Sequence, residues 1–372
     1  MDRARQLGES GIAGLLWKFS LPAVVGMVVH SLYNVVDRIF IGRAVGPVGI
    51  AGISVAFPMM VILMAFGMLI GIGATSLISI RLGQQRRDEA EKVMGNAFAL
   101  FVMVSFVLTF AGLAFIEEIL LMFGASEEIL PHSKEYLEII LMGTVFQCIG
   151  FGMNNFIRGE GNPNTAMSTM LIGAFLNIVL DPVFIFWLDM GIRGAAIATV
   201  ISQAVSSVLV LRYFLFGSSL LKIRLRAFRL ERRIVLGILA IGSAPFAMQL
   251  ASSVIVSLFN HQLRIYGGTI ALSVMGIMFS ILMLILMPVV GISQGAQPII
   301  GYNYGAGNFE RVVRTVRLAA LVATGVTLTG FIISMLFPAR IIGLFSSNDA
   351  ELIAMGGHAL RVFFAMLPII GF

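Results

Sequence analysis

Residues 73–83 read GATSLISIRLG, and residues 295–305 read GAQPIIGYNYG. The two stretches align at an offset of 222 residues, with identity at Gly73/Gly295, Ala74/Ala296, Ile78/Ile300 and Gly83/Gly305. The same register continues through Ala97 and Ala319, Phe115 and Phe337, Ile119 and Ile341, and Phe123 and Phe345. A constant offset over so long a stretch indicates that the chain contains an internal duplication.

Composition places both copies in a membrane. The 372 residues are 58% hydrophobic and 12% charged, whereas a soluble domain has about 25% charged residues. The mean hydropathy is +0.98, and we identify ten apolar segments. These segments cover residues 14–41, 47–78, 93–116, 133–157, 165–188, 194–216, 234–262, 269–302, 312–337 and 352–372. The sequence therefore predicts an all-α polytopic membrane protein.

The repeat also predicts the domain organisation. We expect an N-lobe at 1–216 with helices one to six, a basic cytoplasmic linker at 217–233, and a C-lobe at 234–372 with helices seven to ten. Six helices per unit is an even number, so both lobes insert the same way up, related by a pseudo-two-fold axis along the membrane normal. Phe372 aligns with Gly150, inside the fourth helix of the unit. We expect the second lobe to be truncated, with about ten of twelve helices present; a degenerate ten-helix form is the alternative.

Charge predicts the orientation. Most of the 25 Lys and Arg residues lie at the N-terminus, in the linker and in the loops on that side. The positive-inside rule then places the N-terminus in the cytoplasm and the protein in the inner (plasma) membrane. The same bias explains the net charge of +6 without a nucleic-acid partner, and we interpret the linker as solvated. The single cysteine, Cys148, excludes an internal disulfide, and the four histidines lack metal-ligand spacing.

Two acids stand apart from the other acids because they interrupt long apolar segments. A carboxylate in a membrane helix costs about 2.5–3.5 kcal/mol on insertion scales, so Asp37 and Asp181 are expected to face a polar cavity. Asp37 shares a helix face with His30 and Asn34, and Asp181 shares one with Asn177. Counting 1.5 Å per residue places both acids and Thr199 at one depth, in the outer half of the membrane.

Two carboxylates in one pocket repel each other, so they must share a proton or a cation. Pro182, next to Asp181, frees backbone carbonyls that suit a cation site. Simpler interpretations remain open at this stage. Asp37 could pair with Arg38 or reach the membrane surface, Asn177 could join helices, and Thr199 could bond to its own helix.

The chain resembles the multidrug and toxic compound extrusion (MATE) family, in the branch that includes MepA. The resemblance lies in LPAVV (21–25), YNVVDRIFIGRAVG (33–46), RGEGNP (158–163), NIVLDP (177–182) and the two glycine-spaced loops. It implies twelve helices in two lobes and export of organic cations in exchange for H⁺ or Na⁺. It also implies a cation site, with Na⁺ possible, at Asp37, Asn177, Asp181 and Thr199, a backbone ligand from Ala195, and a hinge at Pro22.

Further polar residues are candidates for lining a substrate cavity: His30, Tyr33, Asn34, Gln147, Asn154, Gln203 and Gln249. The second lobe offers no intramembrane acid in its apolar segments. Where some members of the family carry one in the seventh helix, this chain has the neutral Gln249. The sequence therefore predicts ion coupling in the first lobe.

We thus expect a cation-coupled antiporter that exports cationic or lipophilic drugs and toxins, with no resident cofactor. We expect a monomer whose partners are drug-like substrates and membrane lipid. A lipid-linked oligosaccharide flippase or polysaccharide exporter of the same superfamily is the alternative, with Arg158 and Arg361 as its only central cations. An intramembrane aspartyl enzyme is disfavoured because neither NVVDR nor VLDPV resembles a catalytic motif.

Overall fold

The computed structural model describes residues 3–127, 129–343 and 350–370, apart from the side chains of some helical residues, Asn34 among them. Within these ranges the chain is helical and contains no strand. The α-helices are α1 Arg3–Glu9, α2 Ile12–Ala44, α3 Pro47–Gly83, α4 Arg87–Ala114, α5 Ile116–Met122, α6 Leu130–Met142, α7 Thr144–Gly159, α8 Pro163–Pro182, α9 Gly191–Phe216, α10 Arg232–Gly305, α11 Phe309–Leu336, α12 Pro338–Gly343, α13 Ala350–Phe363 and α14 Leu367–Ile370. A π-helical turn, Val183–Trp187, follows α8, and a 3₁₀ turn, Leu225–Phe228, lies in the linker.

The described helices confirm the prediction of a polytopic membrane protein. They contain eight segments long and apolar enough to span a membrane, two of them within α10, and a ninth span results if α6 and α7, bent by 55° at Gly143, count as one. The shorter apolar stretch Ala354–Ile369 matches the tenth predicted segment. The seventh and eighth segments, predicted as separate helices, are continuous in α10.

The element α10 nevertheless reverses direction. Its 74 residues would extend about 110 Å if straight. Ile238, near its start, and Tyr302, near its end, both approach α3, beside Gly73 and Gly83 respectively. The spans Arg232–Ile255 and Ile277–Gly305 are therefore its two arms.

Close contacts between the lobes repeat at the offset seen in the sequence. A Cβ added at Gly83 would lie 2.0 Å from the carbonyl oxygen of Tyr302, and one added at Gly305 would lie 2.0 Å from that of Ile80. Ile80 and Tyr302 are themselves 222 residues apart. The internal repeat is therefore present in the packing, as a pseudo-two-fold pair of contacts between α3 and α10.

The hydrophobic core shows where the two lobes meet. We call the side that carries α1 and the linker the N-terminal side. A core cluster on that side includes residues of both lobes, such as Phe19, Ile78 and Tyr302. A second cluster lies within the N-lobe around Leu137, and a third lies within the C-lobe around Phe364. The lobes are thus packed together on their N-terminal side.

The linker is ordered against the N-lobe. Leu221 is fully buried, and the Phe228 ring stacks on Phe98 with centroids 5.1 Å apart. The interpretation as a solvated linker holds for its basic side chains, such as Arg226, which are exposed. It is wrong for its backbone, because buried polar side chains of the N-lobe bind that backbone directly. Asn96, for example, donates to the carbonyl oxygens of Ala227 and Arg229.

Candidate functional site

Helices α2 and α8 bring the two intramembrane aspartates together. Asp37 is 7% exposed and Asp181 is fully buried. The Asp37 side chain lies within hydrogen-bonding reach of the Asp181 carboxyl group. The two helices can approach closely because Gly26 has no side chain; a Cβ there would lie 3.1 Å from the Met170 sulfur.

A third helix, α9, completes the cluster. The Asn177 amide nitrogen donates to Asp181 Oδ1 at 3.3 Å and reaches Thr199 Oγ1 at 3.5 Å. Asn177 is 2% exposed and Thr199 is 5% exposed. The structure therefore gathers Asp37, Asn177, Asp181 and Thr199 at one buried location, contributed by three helices.

The local backbone at Asp181 departs from a regular α-helix. Pro182 has no N–H, so the carbonyl of Ile178 loses its helical donor. The chain then continues as the π-helical turn Val183–Trp187, a form that is frequent at functional sites. Ala195, proposed as a backbone ligand, is fully buried one turn before Thr199 in the uninterrupted helix α9.

The cluster is rich in oxygen acceptors. Apart from the approach of Asp37 to Asp181, the buried atoms Asp181 Oδ2 and Asn177 Oδ1 have no hydrogen-bond partner among the described residues. Carboxylate, amide and hydroxyl oxygens are the ligands that hard cations prefer, so the residues present suit a proton or Na⁺. No group of three or more His, Cys, Asp or Glu residues with metal-binding geometry occurs in the described chain.

The predicted cavity residues lie in several different environments. The rings of His30 and Tyr33, both half-buried, pack edge to face with centroids 4.9 Å apart. Gln203 on α9 and Gln249 on α10 are half-buried and belong to different lobes. The side chain of Asn34 lies outside the described part of the structure.

Two other predicted residues lie between helices. Asn154 is buried, and its amide nitrogen donates to the Ala166 carbonyl at 2.8 Å and to Thr169 Oγ1 at 2.7 Å. Those bonds tie α7 to α8. Gln147 is half-buried, and its Oε1 has no hydrogen-bond partner among the described residues.

Pro22, the predicted hinge, is buried in the uninterrupted helix α2. Its neighbours Ser20 and Val24 pack against Gly295 and Gly291 of the C-lobe, where an added Cβ would lie 2.6 Å from their Cα atoms. Because proline removes one helical hydrogen bond, this interruption of the α2 hydrogen-bond ladder lies beside its contact with the other lobe.

Sequence reasoning missed the buried carboxyl group of Glu160, which lies just after α7. Glu160 is 1% exposed and accepts hydrogen bonds from the Tyr213 hydroxyl, the Ser219 hydroxyl at 2.7 Å and the Leu220 amide at 3.0 Å. Burial raises the pKa of this carboxyl, and these hydrogen bonds partly oppose the rise. The sequence signal was an acid between two glycines, in the stretch RGEGNP.

Two parallel helical lobes, packed on one side and carrying a buried carboxyl pair, define the class of two-lobe membrane transporters. The MatE family model matches the chain twice, over residues 22–183 and 243–372. The chain belongs to the MatE family of multidrug and toxic compound extrusion transporters, as the sequence resemblance predicted. The two matches follow the two lobes.

Relatives agree with this assignment. Multidrug export protein MepA of Staphylococcus haemolyticus is 28% identical over 363 residues, which cover 98% of this chain and 80% of MepA. The structure of the MATE multidrug transporter DinF-BH is 41% identical, covers 98% of this chain and 81% of its own, and superposes with a TM-score of 0.91. An outward-facing MATE family transporter of the MOP superfamily, 29% identical, superposes with a TM-score of 0.92 over 98% of this chain and 81% of its own. The chain is thus a multi-pass membrane protein of a multidrug efflux family.

Proposed function

We propose that this protein is an antiporter that exports cationic or lipophilic drugs and toxins across the plasma membrane in exchange for H⁺ or Na⁺. The observation that carries the proposal is the approach of Asp37 to the fully buried Asp181. Two carboxylates this close in a medium of low dielectric constant need a proton or a cation between them. The N-terminal side faces the cytoplasm, in keeping with its basic residues.

Exchange results because the coupling ion and the organic cation compete for the same negative charge on the carboxyl pair. A proton or Na⁺ at Asp37 and Asp181 neutralises the pocket and weakens its attraction for an organic cation. Loss of that ion restores the negative charge. If the two lobes expose the pocket alternately to the two sides of the membrane, the ion gradient drives export of the substrate. In this scheme α2 bends at Pro22 when the charge on Asp37 changes.

The test measures dye efflux from cells that carry variants with single substitutions. Asp37→Asn and Asp181→Asn should each abolish ethidium efflux from cells while the protein stays in the membrane at wild-type level. Asp88→Asn is the matched control, because the Asp88 side chain is 89% exposed at the start of α4. Efflux at the wild-type rate in both intramembrane variants would overturn the proposal.

A second test identifies the coupling ion. Purified protein in liposomes is given a pH gradient or a sodium gradient, each without the other, and dye transport is recorded. Transport driven by one gradient identifies that ion as the partner. A rate of dye transport that neither gradient changes would contradict ion coupling.

The flippase alternative is not favoured. A lipid pyrophosphate carries negative charge, which the carboxyl pair would repel. Arg158, one of its two candidate cations, is 2% exposed and donates to the Asn155 side chain within α7.

A further inference from the structure

A line of polar side chains runs from the carboxyl pair into the interior of the N-lobe. Asn177 reaches Thr199 at 3.5 Å, and Ser202 and Ser206 continue the same face of α9 toward the N-terminal side. Ser206 Oγ donates to the Thr169 carbonyl at 3.5 Å, and Thr169 Oγ1 accepts from Asn154 at 2.7 Å. We call this line, from Asn177 to Asn154, the polar seam.

The polar seam covers much of the membrane depth. Thr169 and Asp181 lie twelve residues apart on α8, which is about 18 Å along the helix axis. The hydrocarbon core is about 30 Å thick. The polar seam therefore leads from the carboxyl pair toward the N-terminal side, where the two lobes are packed together.

Several atoms along the polar seam lack partners. Ser202 Oγ, Asn154 Oδ1, Asn177 Oδ1 and the adjacent Gln147 Oε1 are buried without a hydrogen-bond partner among the described residues. Ser202, Asn154 and Asn177 are each at most 4% exposed. Buried polar groups in proteins are nearly always satisfied, and where protein atoms do not do so, bound water does. Four such atoms on α7, α8 and α9 indicate that water binds along the polar seam.

Glycines let α7, α8 and α9 approach one another closely along the polar seam. A Cβ added at Gly173 of α8 would lie 2.1 Å from Ser206 Oγ, so any larger residue would displace that hydroxyl. Gly143, which immediately precedes α7, packs against Val200, and Gly150 of α7 approaches the Gln203 carbonyl. Gln147 lies between these two glycines on the same helix face. The glycines thus bring the polar atoms of the three helices together at the polar seam.

We infer that the polar seam is a hydrated route inside the N-lobe, through which the coupling cation leaves the carboxyl pair toward the N-terminal side only after the pocket has closed to the opposite side, while the cleft between the lobes is still closed on the N-terminal side. The inference rests on the proposed antiport. The ion and the drug then use separate exits, the ion through the N-lobe and the drug through the cleft. Such separation keeps the drug from following the ion back across the membrane.

The test uses two isosteric substitutions at Ser202. Ser202→Val removes the hydroxyl, whereas Ser202→Thr adds the same volume and keeps the hydroxyl. A purely steric role predicts equal damage in both variants. The inference predicts that Ser202→Val slows cation-driven dye transport in liposomes about tenfold, the effect of one lost hydrogen-bonded link, while Ser202→Thr stays near wild type.

Binding and transport are measured separately. Equilibrium dye binding to purified Ser202→Val should match wild type, because the carboxyl pair is intact. Gln147→Leu provides an independent variant of the same kind, and Ser168→Val, on the exposed face of α8, is the control expected to have no effect. Asn154 is left unchanged because its amide nitrogen holds α7 to α8.

The outcomes separate the two proposals. The hydrated route is overturned if Ser202→Val and Gln147→Leu both transport dye at the wild-type rate while Asp181→Asn is inactive. That outcome leaves the antiport proposal intact. Equal slowing by Ser202→Val and Ser202→Thr overturns it as well. If the rate of dye transport by the wild-type protein is the same with and without each ion gradient, both the antiport and the hydrated route are overturned.

Discussion

The carboxyl groups of Asp37 and Asp181 lie within hydrogen-bonding reach of each other, although they come from two different helices, α2 and α8. Neither can be fully ionised beside the other without a counter-ion, because the surroundings are buried and of low dielectric constant. We therefore propose that the pair shares one proton or cation. Asn177 fixes its geometry by donating to Asp181 Oδ1.

The close approach of glycines on the N-terminal side predicts how this side opens. Gly83→Ala would place a methyl group 2.0 Å from the Tyr302 carbonyl oxygen, so the closed packing must separate. We expect spin labels at Gln84 and Ala306, in a Cys148→Ala background, to lie farther apart in Gly83→Ala than in the unsubstituted protein.

Gly325→Ala is the matched control for this distance measurement. An added Cβ at Gly325, in α11, meets no atom within 4 Å. Unchanged label distances in Gly83→Ala would mean that this contact does not hold the N-terminal side closed.

The linker predicts a stability effect at Asn96. This side chain is 1% exposed, donates to Ala227 and Arg229 at 3.1 and 3.2 Å, and accepts from the Glu231 amide at 2.7 Å. Asn96→Ala leaves these backbone groups unsatisfied, which we expect to cost about 1–3 kcal/mol of unfolding free energy. Chemical unfolding in detergent checks the value. Asn164→Ala, at an exposed position, should change it little, and equal stability of the two variants would contradict the proposed role of Asn96.

Glu160 predicts a pH dependence of stability. Its pKa is raised in the folded state by burial, so folding favours the protonated form. The contribution of this group to stability is therefore fully present below the usual glutamate pKa of about 4.3 and is lost as pH rises through the raised value. We expect Glu160→Gln to flatten this part of the profile of melting temperature against pH. A profile identical to wild type would show that Glu160 does not titrate differently in the folded protein.

Much of the architecture was predictable from the sequence for physical reasons. The paired glycines Gly83 and Gly305 repeat because the same backbone contact occurs once in each lobe. Asp37 and Asp181 could be placed at one depth because a helix rises a fixed distance per residue. The same count predicted Thr199, although its residue type is the weakest indication of a cation site among the four.

Other features depend on contacts that residue counting does not reveal. Glu160 binds the amide of Leu221, 61 residues away, in the linker, whose sequence predicts only a solvated segment. Asn154 was predicted to line a cavity, but the structure uses its amide nitrogen to join two helices. For Asn154, orientation about the helix axis decides the role, and the apolar pattern of a membrane helix sets that orientation weakly. For Glu160, which lies just after α7, the role depends on a partner in a distant part of the chain.

The most direct test of the central claim is a double-mutant cycle on the carboxyl pair. Binding of ethidium to purified protein is measured for wild type, Asp37→Asn, Asp181→Asn and the double variant. If both acids form one charged site, each single change removes most of the affinity and the double variant loses little more. Losses of binding free energy that simply add would contradict the account, because they would place the two carboxyl groups in independent environments.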